Sequence, residues 1–302
     1  MFIHSVRRAF SVVASTILLT SSAHAITVHP GNHDASYALA QQFGSVGYAL
    51  PSFTGAEWDG SVSNTALGPS VVALSPTVAI SAAHGSLFPP GIDYDLIQLG
   101  FGNAYEDFAN GDLFTVTNVI RHPTLDLVIY DMSDDPVLNV DYANLHNSVL
   151  QIGDIIYGVG YGEFSEVAAP TSDIVWNGDK HAFNGIIETL GYGSFPSNYF
   201  FTPFARSTFN PFYTELGGAG NNGDSGGGVF IEMPDGSFEL VGLMQVTTGG
   251  NDYSVRTGFL PLSDLEAREF IDSHLAATPE PSSALLLSTA LLFGRSRTRK
   301  SR

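Results

Sequence analysis

Short apolar runs of about four to nine residues, each closed by Gly, Asn, Asp or Pro, recur along most of this chain and constrain its fold more than any other feature. A run this short suits a buried strand, whereas a helix needs an apolar stripe at 3.6-residue spacing over a longer stretch. Val71 to Leu74 and Thr77 to Ser81 flank Ser75-Pro76 as two strands, and Leu113 to Ile120 and Leu125 to Tyr130 flank the turn at His122-Pro123. Further on, Val229 to Met233 and Phe238 to Val246 form a hairpin around Pro234-Asp235-Gly236-Ser237, whose Pro-Asp-Gly suits a turn. Strands at this spacing predict an all-β antiparallel sandwich or barrel. One helix is signalled near the end, with Ser263 as N-cap, Glu266 three residues later closing a capping box, and Phe270, Ile271 and Leu275 facing inward.

A length of 302 residues allows one large or two small cores. Arg7 and Arg8, an apolar run from Phe10 to Leu19 and then Ala23-His24-Ala25 fit a secretory signal peptide over 1–25, so the mature chain is expected to begin at Ile26 outside the cytoplasm. That compartment permits disulfides, yet the chain has no cysteine, and stability must come from the core. The central region carries 29 of the 30 acidic residues and only five of the 12 Lys and Arg, a formal charge of about −24. Such an acidic body excludes nucleic acid as a partner and suits a soluble, self-repelling secreted protein.

Composition changes again at Thr278-Pro279-Glu280-Pro281-Ser282-Ser283, after which Ala284 to Phe293 is apolar and Arg295 to Arg302 is basic. About ten apolar residues reach about 15 Å as a helix, roughly half a bilayer core. The Pro-Glu-Pro motif, apolar segment and Arg-rich end resemble a PEP-CTERM sorting tail over 278–302. The resemblance implies an exosortase-type sorting enzyme as a partner, a Gram-negative exporting cell, and a fate at the cell surface, in the matrix or beyond. Membrane contact is then expected only through the leader and this tail.

Three segments carry candidate chemistry. Gly223-Asp224-Ser225-Gly226-Gly227 can hold a serine hydroxyl beside backbone N–H groups, but serine at neutral pH is a poor nucleophile unless a base removes its proton during attack. Ile80-Ser81-Ala82-Ala83-His84 puts an imidazole at the end of an apolar run, and an imidazole titrates close enough to neutrality to take that proton and return it. Leu125-Asp126-Leu127-Val128-Ile129 puts a carboxylate where the chain re-enters a buried strand, able to fix the tautomer of His84 and to stabilise its charged form. Asp131, Asp134 and Asp135 lie nearby, but only Asp126 is followed by so apolar a run.

The order His84, Asp126, Ser225, with these three motifs, resembles the trypsin/chymotrypsin-like serine peptidases over roughly Ser45 to Leu275. The resemblance implies two antiparallel six-stranded β-barrels with one C-terminal α-helix over 26–277. Ile155 to Gly162 is similar to the strand that begins the second barrel, so the boundary is expected near residue 145. It implies secreted endopeptidase activity on protein or peptide substrates without cofactor or metal, and an oxyanion hole from the N–H groups of Gly223 and Ser225. In the family Asp224 would pair with a new N-terminal ammonium, here that of Ile26, although Ile26-Thr27-Val28-His29 departs from the family's Ile-Val-Gly-Gly. Ala219 stands where an aspartate would select Lys or Arg, which implies a neutral pocket. Gln245-Val246-Thr247 stands where the family has Ser-Trp-Gly, so Gln245 and Thr247 are expected at the pocket and Thr247 is expected to narrow it for small or medium apolar side chains. Gly85 and Asn221 replace cysteines, so the usual bridges are missing.

Other classes fit less well. Gly-Asp-Ser-Gly-Gly also satisfies G-x-S-x-G, but an α/β-hydrolase needs its acid and histidine after the serine, and His274 is the only later histidine. A zinc peptidase would need H-E-x-x-H, which the chain lacks. The non-enzymatic alternative is a catalytically silent binding module on a peptidase scaffold at the cell surface or matrix.

Overall fold

The computed structural model describes residues 26–28, 31–51, 69–84, 97–102, 113–133, 140–162, 164–166, 178–194, 201–208, 216–220, 223–248 and 256–277. The expected signal peptide and sorting tail lie outside the described residues. The elements run β1 (Ile26–Val28), α1 (His33–Ala40), β2 (Val46–Pro51), β3 (Ser70–Ser75), β4 (Val78–Ser81), β5 (Ile97–Gly100), β6 (Leu113–Arg121), β7 (Val128–Met132), β8 (Asn144–Leu145), β9 (Ile155–Gly160) and β10 (Phe164–Glu166). They continue with β11 (His181–Ser194), β12 (Phe201–Thr208), β13 (Gly218–Ala219), β14 (Gly228–Glu232), β15 (Phe238–Thr248), β16 (Arg256–Pro261) and α2 (Leu265–Ala277).

The protein is mostly β. Six antiparallel strands close a barrel in the order β2-β3-β4-β7-β6-β5. A second sheet runs β14-β9-β11-β12-β16-β15-β8, with β14 also paired to β15, and a small sheet joins β10, β1 and β13. Barrel strands β3 and β4 are buried on both faces, which is why the sequence shows apolar runs there rather than apolar–polar alternation. Val71, Ala79, Val128 and Tyr130 cluster only with other barrel residues. The opposite faces, bearing Val72, Ile80 and Ile129, join Val159, Phe230 and Leu243 of the second sheet and Ile271 of α2 in one core. The two lobes thus share a buried seam, along which the candidate residues lie.

Three local readings need correction. Helix α1 has no clear signal in the sequence; it is eight residues long, its Asn32 N-cap makes no side-chain capping bond, and it is held from outside by Ser36 Oγ donating to the Ala182 carbonyl at 2.6 Å. Strand β7 starts at Val128 rather than Leu125, because 122–127 forms a tight loop in which the His122 amide donates to the Leu127 carbonyl at 2.9 Å and the Leu127 amide to that of Leu125 at 2.8 Å. The cap of α2 is Asp264, not Ser263: its Oδ1 accepts the amides of Glu266 at 3.1 Å and Ala267 at 3.3 Å. Glu266 is turned instead toward Thr124 and His122. Among the described residues there are two helices, and none is long and apolar enough to cross a membrane.

Candidate active site

Strand pairing brings the first two candidate residues together. Strands β4 and β7 are antiparallel with Ser81 opposite Val128, so three residues beyond Ser81 and two before Val128 the chain sets His84 beside Asp126. Ala82 and Ala83 are fully buried, and they anchor the chain up to the histidine. The His84 ring donates from Nδ1 to Asp126 Oδ2 at 2.6 Å, and the His84 amide donates to Oδ1 at 2.7 Å. Both carboxylate oxygens are therefore engaged in a side chain with 0% exposure, while the imidazole keeps 20%. With the proton on Nδ1, the lone pair of Nε2 faces Ser225, whose Oγ lies 2.8 Å away.

Ser225 comes from the other lobe, in the turn between β13 and β14. The Gly227 amide donates to the Asp224 carbonyl at 2.8 Å, and the turn is clipped to β15 by the Gly226 amide on the Met244 carbonyl at 2.7 Å and the Met244 amide on the Gly227 carbonyl at 2.9 Å. Gly223 and Gly226 have φ of +87° and +85°, a backbone region costly for residues with a Cβ. Space also excludes a side chain at 226, where a Cβ would overlap Ser81 Oγ and the Ser70 carbonyl. Two serines of the barrel hold the turn against the seam. Ser70 Oγ donates to the Gly223 carbonyl at 3.2 Å and accepts the Tyr161 amide at 3.1 Å, and Ser81 Oγ donates to the Ser70 carbonyl at 2.7 Å. Among the described residues, the amides of Gly223 and Ser225 are bonded to no protein acceptor.

The remaining candidates have less direct positions. Asp224 is buried and its Oδ1 accepts the Gly162 amide at 2.8 Å. Ile26 is buried in β1 opposite Phe164, only two residues along the chain from Gly162. Ala219 lies buried in β13 opposite Thr27. Gln245, expected at the pocket, is buried, and its Nε2 donates to the Asp126 carbonyl at 3.1 Å. Thr247 Oγ1 donates to the Gly220 carbonyl, and the Gly220 amide donates to Thr257 Oγ1 at 2.7 Å. The segment before Ser225 is thereby stitched to β15 and β16.

Sequence reading missed Ser70, Ser81, Thr257 and the position of Gln245. Only Ser81 carried a signal, as the first residue of Ser-Ala-Ala-His; the others act across separations of up to 153 residues. No cluster of three or more metal-ligating side chains occurs among the described residues. Chemically, the arrangement is an alcohol hydrogen-bonded to an imidazole oriented by a buried carboxylate. Comparison with models of known protein families finds no match, and a search of curated proteins finds none either.

Proposed function

We propose that this protein is a secreted serine endopeptidase of the trypsin/chymotrypsin type. The observation that carries the reading is the continuous relay from Asp126 through His84 to Ser225, with links of 2.6 and 2.8 Å, assembled from three separate segments. In the proposed reaction, Ser225 Oγ attacks the peptide carbonyl carbon as its proton passes to His84 Nε2, and the carbonyl oxygen becomes an anion between the amides of Gly223 and Ser225. Collapse breaks the C–N bond, the proton on His84 leaves with the amine, and an acyl ester remains on Ser225. Water, deprotonated by His84, then releases the acid and restores the serine. Asp126 stays ionised throughout and stabilises the imidazolium.

The same reading takes the second sheet as a second six-stranded barrel, a view supported by the pairing of β14 with both β9 and β15, which leaves β8 as an appendage. For specificity, the stitching of Gly220 to Thr247 and Thr257 supports a shallow neutral pocket and small apolar side chains before the scissile bond. The burial of Ile26 beside the strand that follows Gly162 supports an N-terminal ammonium at Asp224, formed when the leader is removed. Sorting through the Pro-Glu-Pro tail belongs to the same proposal.

A fluorophosphonate probe tests the reading. The secreted protein is expected to label at Ser225 and the Ser225→Ala variant to remain unlabelled, with cleavage of a peptide library after Ala, Ser or Val in parallel. A folded wild-type protein that neither labels nor cleaves would instead be the silent binding module.

A further inference from the structure

We infer that His122, clasped by the C-terminal helix, is a positioning residue that holds the Asp126 loop in its working form and lets go when it gains a proton. In the loop between β6 and β7 the amides of His122 and Leu127 donate to loop carbonyls, and the His122 ring serves those of Thr124 and Leu125. Its Nδ1 accepts the Leu125 amide at 2.9 Å and the Thr124 amide at 3.2 Å. An amide only donates, so Nδ1 carries a lone pair and the ring proton is on Nε2. That nitrogen faces Glu266 Oε1 at 3.6 Å, and the same oxygen accepts a hydrogen bond from Thr124 Oγ1 at 2.5 Å. Phe270 closes the other side, its ring edge-on to the imidazole at 4.7 Å. The residues one and two positions before Asp126 are thus fixed by a ring that is itself wedged between loop and helix.

The charges acting on this ring are Glu266 and the helix cap Asp264, both from α2; Asp126 follows in the same loop with its carboxylate on His84, and His274 packs against Phe270. Burial holds the His122 pKa below its usual value, against the pull of Glu266 and Asp264. The consequence has a definite sign. At and above pH ~6.5 the ring is neutral and both amides are held. As pH falls through the lowered value, Nδ1 takes a proton, the buried Leu125 amide and the more exposed Thr124 amide lose their acceptor, and Asp126 loses the backbone frame that keeps it 2.6 Å from His84. Loss of Asp126 orientation affects the chemical step and leaves the substrate pocket untouched, so kcat falls while KM holds.

Two substitutions separate positioning from mere packing. In His122→Asn, the carboxamide oxygen stands where Nδ1 stands and accepts the same amides, but it does not titrate. Its kcat near pH 8 is expected within about threefold of wild type, and the acid limb of log kcat/KM should fall with a slope of about one where wild type steepens to about two. In His122→Leu, kcat is expected to fall about tenfold or more at every pH with KM unchanged. The inference rests on the peptidase reading only for these kinetics. The low-field NMR resonance of the proton between His84 and Asp126 reports the same loop without any substrate, and it is expected to survive in His122→Asn and to broaden in His122→Leu. A protein that never labels at Ser225 but shows this pattern would sink the peptidase reading alone. A slope of two retained in His122→Asn, or an unaltered resonance in a folded His122→Leu, would overturn the role of His122; if the Leu variant does not fold, the Asn profile decides.

Discussion

His181 is an anomaly at the scale of a single residue. It is only 1% exposed, stacked on Phe164 at 4.3 Å and next to His33 at 5.3 Å, and neither ring nitrogen has a hydrogen-bond partner among the described residues. Burial, with a smaller contribution from His33, lowers its pKa to about 3. The folded value is depressed, so the stability it supports is complete above the unfolded value of ~6.5 and is lost as pH falls from there toward 3. The expected loss across that window is on the order of a few kcal/mol. His181→Leu should match or exceed wild type in urea unfolding at pH 8 and lose less between pH 6.5 and 4; parallel curves would clear His181 of the effect. Nothing in Asp179-Lys180-His181 marks this histidine, whereas His84 was legible because its neighbours Ser81, Ala82 and Ala83 form a recognisable motif. The difference is physical: the base of a relay must sit at a set place beside two partners, which constrains the local sequence, while a trapped ring is made by Phe164 and α1 from elsewhere.

Among the elements, the strands were the most legible, since burial on two faces writes an apolar run into the sequence. Helix α1 was not, because eight residues are too few to form on their own propensity and its support comes from β11. Lys180, 1% exposed, reaches from the start of β11 to donate to the Phe43 carbonyl at 2.8 Å and the Val46 carbonyl at 3.4 Å, with its ammonium 5.8 Å from the Tyr161 ring centre. It fastens the α1–β2 connection of one lobe to the second sheet in a chain without disulfides. One of the five central cations is thus not on the surface. Lys180→Met keeps the stem and removes the donors, leaving two buried carbonyls without this ammonium. The expected cost is about 1–3 kcal/mol in equilibrium urea unfolding; an unchanged midpoint would mean that packing of the stem, and not the hydrogen bonds, joins the lobes.

At the scale of the whole molecule, an acidic body meets a core that runs through both lobes. Ile80 and Ile129 of the barrel, Phe230 and Leu243 of the second sheet and Ile271 of α2 share one cluster, so neither lobe can open without exposing the other's apolar face. The lobes should therefore unfold as one cooperative unit, with a single calorimetric peak. Opposing that core is the self-repulsion of 29 acidic against five basic residues between Ile26 and Thr278. Salt weakens repulsion and attraction alike, so the sign of its effect depends on which is more abundant. Among the described residues, attractive pairs of Arg with a carboxylate are few: Arg256 meets Glu188 at 3.0 Å and Arg268 meets Asp272 at 3.1 Å, both partly exposed and of small individual value. Repulsion dominates, and shortening the Debye length from about 30 Å at 0.01 M to about 3 Å at 1 M salt should stabilise the fold. The expected rise in Tm between about 0.02 and 0.5 M NaCl at pH 8 is several degrees, read by scanning calorimetry on the purified protein. A fall in Tm would reverse the balance, making the few ion pairs worth more than the charge excess, and a second peak would mean that the shared seam does not bind the lobes into one unit.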